Sequence, residues 1–97
     1  DALGYLGRAA AMNPKDAEAH NYLGVVLSQK GQRTAAEAAF RMALKIAPEY
    51  GVAHFNMAVY YITANPPSVS LARYHYDRAV KAGHPKHAQV EKMLGVK

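Results

Sequence analysis

The sequence predicts an all-α fold: a solenoid of antiparallel helix pairs, about six helices within a single domain of 97 residues. Two observations carry that prediction. The first is a recurrence. Sliding the chain against itself by 34 residues superposes Ala2 on Ala36, Ala9 on Ala43, Pro14 on Pro48, Ala19 on Ala53, His20 on His54 and Val25 on Val59. A fixed period of this length marks stacked units, each too small to bury its apolar stripe alone. The second is the spacing inside each period, where apolar residues return at helical intervals and Gly or Pro falls where helices stop. From Ala36 to Ala72, Phe40 to Tyr76 and Ala43 to Ala79 the offset is 36, so the later copy holds two extra residues. The stretch "NPPS" at 65–68 is where they fit.

Residues 1–14 match only the second half of a repeat, with a helix over 1–12. Because the chain opens in mid-repeat at Asp1, a segment excised from a longer array or a larger protein is expected. Residues 17–50 make one full repeat. Its first helix, 18–30, sets Ala19, Leu23, Val26 and Leu27 on one face, and Gly31 supplies the left-handed residue that ends it. The second helix opens on a capping-box pattern, Thr34 with Glu37, and carries Ala36, Phe40, Ala43 and Ala47 until Pro48 closes it. Residues 51–86 repeat the scheme with helices at 51–64 and 70–82. Asn65 and Gly83 suit their ends, Pro66 and Pro67 bar continuation, and Ser68 or Ser70 is the expected cap. Residues 86–95 form a terminal helix with Val90, Met93 and Leu94 on one side.

The small residues imply close helix approach. Gly24 and Ala58 lack bulk on the face expected to meet Ala36 and Ala72, while Phe40 and Tyr76 are expected to fill the space between one unit and the next. These residues resemble those of the tetratricopeptide repeat family. Its small positions fall on Gly24, Ala36 and Ala43, with Pro48 closing the unit, and then on Ala58, Ala72 and Ala79. Its large apolar slots fall on Leu23, Leu27 and Phe40, then Met57, Tyr61 and Tyr76. The sequence departs from the pattern at His20 and His54, where a large residue is usual, and at His84-Pro85, where the closing proline is displaced by one residue. The resemblance covers almost the whole chain. It implies a right-handed superhelix whose first helices line a hollow that holds a protein partner. One branch of the family clamps terminal carboxylates with lysine, arginine and asparagine. Here only Asn56 and Lys92 match that clamp; Asn21, Val25 and Ala88 replace its other members, which argues against such a receptor.

The partner surface is expected on helix 51–64. At about 100° per residue, His54, Met57, Ala58 and Tyr61 form one arc, and Val52, Phe55, Val59 and Ile62 form a second apolar arc, with Asn56 and Thr63 at its polar margin. The matching face of helix 18–30 runs through Glu18, Asn21, Val25, Ser28 and Gln29 and is more polar. A groove made of Asn21, Val25, Gln29, Val52, Phe55, Asn56, Val59, Ile62 and Thr63 would hold an extended peptide or an amphipathic helix. The alternative is that the chain's terminal helix or further repeats cover the stripe, giving a structural or self-associating segment.

Other chemistries find less support. The chain has no cysteine and a net charge of +5, spread as six Lys/Arg against four Asp/Glu in 1–48 and six against three in 49–97. Arg41, Lys45, Arg73, Arg78 and Lys81, with Tyr74 and Tyr76, offer an alternative nucleic-acid face. Glu37 and Asp77 interrupt it, and the core claims Tyr76. His75, His84 and His87 lack an acidic companion for a metal set. Ser28, Ser68 and Ser70 have no periodic relation to a His–Asp pair, and Asp77 with Glu91 makes no dyad, so no catalysis and no cofactor are expected. No run approaches the ~20 apolar residues of a membrane span.

Overall fold

The computed structural model describes residues 16–95, which hold five helices and no strand. They are α1 (Ala17–Gln29), α2 (Arg33–Ile46), α3 (Gly51–Ile62), α4 (Val69–Lys81) and α5 (Ala88–Leu94). The helix expected over 1–12, with the half-repeat that contains it, lies outside the described residues. By its contacts the chain divides into two compact units, one ending at Tyr50 and the other beginning at Gly51.

In the first unit α1 packs against α2. Asp16 caps α1, its Oδ1 accepting the Ala19 N–H at 3.2 Å, which satisfies one of the donors a helix start leaves bare. The far end closes in a Schellman turn. Gln32 N–H reaches the Leu27 carbonyl at 2.9 Å and Gly31 N–H that of Ser28 at 3.0 Å, with Gly31 at φ +81°. This turn is so tight that α2 begins at once, with the Gln32 carbonyl accepting from Ala36 N–H. The Thr34–Glu37 capping box is therefore not formed: Gln32 holds the cap position without a side-chain bond, Thr34 lies inside the first turn, and Glu37 pairs with Arg41 at 3.2 Å. Ala47 leaves the helical region ahead of Pro48, as a residue before proline must.

Ala36 and Ala43 are fully buried, and Phe40 is 2% exposed. Phe40 makes a contact that the repeat spacing did not specify. Its ring lies against Gly24 inside its own unit, so close that a Cβ at Gly24 would stand 2.6 Å from ring atom Cε1. Glycine at 24 thus makes room for an aromatic ring.

In the second unit α3 packs on α4, and α5 touches both. Ala53, Ala58, Ala72 and Ala79 are fully buried, with Met57, Tyr61 and Tyr76 around them. The connection between α3 and α4 runs from Thr63 to Ser68, and the Ser68 N–H returns to the Tyr61 carbonyl at 3.0 Å. Ser68 occupies the cap position of α4 without using its hydroxyl there, and Ser70 lies within the helix. The end of α4 repeats the first unit's turn: His84 N–H bonds to Ala79 and Gly83 N–H to Val80, with Gly83 at φ +99°.

Candidate functional site

The α3 surface is where the sequence drew attention, and that helix carries no Asp, Glu, Lys or Arg. Val52, in its first turn, is 44% exposed. Phe55, Asn56 and Val59 are half-buried, and Thr63 is exposed just past the helix end, its hydroxyl donating to the Val59 carbonyl at 2.7 Å. Ile62, expected on this face, is buried. In the first unit Gln29 is exposed and Val25 half-buried. Asn21 is 1% exposed and its side chain bonds to Tyr50, so it satisfies a polar group in that unit's interior instead of facing a partner. Burial, followed by the charge of Glu18, pushes the Tyr50 hydroxyl above the ordinary phenol value.

Phe55 has company that periodicity did not disclose. The His84 ring stacks on it at 4.3 Å with 13° between planes, and the His87 ring stands 5.6 Å away at 45°. The segment bearing these histidines is tied down at three points. His87 caps α5, its Nδ1 accepting the Val90 N–H at 3.2 Å. The Tyr76 hydroxyl accepts the His87 N–H at 2.9 Å and donates to Glu91 Oε2 at 2.6 Å. Arg73 Nε and Nη2 both donate to the Leu94 carbonyl, at 3.0 and 2.7 Å. Burial first, and then the Glu91 carboxylate, raise the Tyr76 hydroxyl above the usual phenol value, since ionisation would destroy the bond it donates. A sequence signal for this arrangement existed. In "HPKHAQVE" Pro85 interrupts any helix, and His87 stands three residues ahead of Val90, where a cap belongs.

The remaining histidines separate from these two. His75 turns to His54, their Nδ1 atoms 3.0 Å apart, so one ring donates and the other accepts, and Tyr61 stacks on His75 at 5.7 Å. No group of three or more potential ligands among the described residues is arranged to hold a metal ion. The basic side chains proposed for a nucleic-acid face are largely engaged: Arg41 with Glu37, Lys81 with Asp77 at 3.0 Å, and Arg73 with Leu94. Among the described residues no helix is long and apolar enough to cross a membrane.

The helix–turn–helix units and the small residues inside them agree with one comparison. The family model for the tetratricopeptide repeat matches residues 1–51, more than half of the chain. The chain belongs to the tetratricopeptide repeat family. Tetratricopeptide repeats generally mediate protein–protein interaction and typically serve as non-catalytic scaffolds. No solved structure gives a significant match.

Proposed function

We propose that this tetratricopeptide repeat segment is a non-catalytic scaffold that binds an apolar peptide or helix of a protein partner on the α3 face of its second unit. The contact would be made by Val52 and Val59, and by the part of the half-buried Phe55 ring that His84 and His87 leave open, with Asn56 and Thr63 at the margin. The observation that carries the reading is a helix without Asp, Glu, Lys or Arg that leaves Val52 44% exposed beside half-buried Phe55 and Val59, at spacings of three and four residues. Residues so spaced share a helix face, and a partner helix or strand laid along it would bury apolar area worth roughly 25 cal/mol per Å² before the costs of association.

Val52→Asp tests this with little risk to the fold, because the residue is exposed and an acid in the first turn suits the helix dipole. Captured proteins are compared between the native chain and the variant, with Leu71→Ser on exposed α4 as a control and circular dichroism confirming equal helicity. Loss of the same partner with Val52→Asp alone, and retention of native binding at high salt, are expected. Equal capture by both variants, or binding that salt abolishes, would refute the reading.

A further inference from the structure

We infer that His84–Leu94 is an acid-released cover over Phe55, held in place by the unprotonated imidazole of His87. The consequence for partner binding rests on the reading of the α3 face above. The release itself does not.

The inference starts from one hydrogen bond. His87 Nδ1 accepts from Val90 N–H, and only a nitrogen without a proton can accept. In acid, a proton on Nδ1 sets donor against donor and places a positive charge at a helix N-terminus, where the dipole opposes it. The helix at stake has seven residues, too short to persist without its tertiary contacts. The cap also lies beside the covered ring: His87 is 5.6 Å and His84 4.3 Å from Phe55. Losing the cap therefore loosens the segment that shields Phe55.

The groups facing His87 bear on the sign. From α4 comes the Tyr76 hydroxyl, which holds the His87 N–H. From α5 comes Glu91, already accepting from Tyr76, and His84 and Lys86 stand close by in the chain just before His87. From α3 comes the uncharged Phe55 ring. Lys86 opposes a second positive charge nearby. Glu91 favours one, but an imidazolium turning toward that carboxylate must leave the Val90 N–H and tilt off Phe55, which is the same release. Once the cap is gone, α5 is held by the Arg73 and Tyr76 attachments and by the buried Val90 and Leu94 side chains.

Amide hydrogen exchange, expressed as protection factors to remove the intrinsic effect of pH, is measured at about pH 7.5 and about pH 5.5, one unit either side of the ordinary imidazole midpoint. The α5 amides of the native chain should lose about tenfold protection at the lower pH, reflecting a lost cap and an opposed dipole together. Phe55 ring-proton shifts should move toward random-coil values in the same interval. His87→Asn supplies a neutral cap acceptor that does not titrate, so its α5 protection should be the same at both pH values. His84→Asn should still show the drop. Equal protection of the native chain at both pH values, an undiminished drop in His87→Asn, or Phe55 shifts that do not move would each overturn the inference. None of these readouts involves a partner, so an acid-released cover and a failed Val52→Asp test are separable outcomes.

Discussion

Gly24→Ala isolates the contact that sets the geometry of the first unit. The new Cβ would lie 2.6, 2.7 and 2.9 Å from Cε1, Cδ1 and Cζ of Phe40, whereas carbon atoms settle about 3.5–4.0 Å apart. The ring would have to retreat by about 1 Å, and at 2% exposure it has nowhere to go without moving its neighbours. Overpacking of this kind costs about 1–3 kcal/mol. Opposing it, alanine is favoured over glycine inside a helix by about 1 kcal/mol. The balance is a destabilisation of about 1 kcal/mol, which for a domain of this size lowers the melting temperature by about 4–8 °C in a thermal scan followed by circular dichroism. Phe40→Leu should lose stability through vacated volume when made alone, yet relieve the clash when combined with Gly24→Ala. The double-mutant cycle should therefore give a favourable coupling of about 1 kcal/mol. A Gly24→Ala protein that melts at or above the native temperature, or a coupling of zero, would refute the account of why glycine stands at 24.

The other expectations concern caps and pH. Asp16→Ala removes a cap bond and should cost about 1 kcal/mol, whereas Thr34→Ala should be neutral or slightly stabilising because Thr34 caps nothing; paired thermal melts decide between this and an intact capping box. Tyr76→Phe leaves the His87 N–H and Glu91 without the hydroxyl they share and should cost about 1–3 kcal/mol, read as a lower melting temperature and faster exchange in α5. The same hydroxyl sets an alkaline limit. Its folded-state pKa is raised, so its contribution is complete below the ordinary phenol value of about 10 and is lost as pH climbs through the raised value. An alkaline titration by circular dichroism should show this loss in the native chain and a smaller one in Tyr76→Phe.

The 34-residue period located the pairs because helix packing writes itself into the chain at every turn. Ala36, Ala43, Ala53, Ala58, Ala72 and Ala79 recur where two helices touch, and each has zero exposure. Period and arc said less about which large residue meets which small one. Phe40 could have reached outward or back over Gly24, and a helical wheel does not distinguish the two. Ile62 and Asn21 show the same limit. Each sits on an expected surface arc, yet Ile62 belongs to the last residue pair before the chain turns, where Tyr61 anchors the returning loop, and Asn21 finds a hydrogen-bond partner in Tyr50. Bonds between groups far apart in sequence, such as Arg73 to Leu94 across 21 positions, leave no periodic trace at all.

The two extra residues of the later copy explain why repetition survives unequal spacing. Shifted by 34, the start of α1 at Ala17 falls on the start of α3 at Gly51; shifted by 36, the start of α2 at Arg33 falls on the start of α4 at Val69. The insertion is therefore absorbed wholly in the connection, which lengthens from residues 30–32 to residues 63–68 as α3 ends one residue earlier than its counterpart. Loop-closure entropy grows only slowly with length, so the longer turn costs well under 1 kcal/mol, whereas slipping α4 by two residues against α3 would rotate Ala72 and Ala79 away from the contact by about 200°. Helix faces hold register because burial depends on them. Connections vary because less depends on them, and in the second unit the half-buried Phe55 ring is partly covered by His84 and His87, which follow α4.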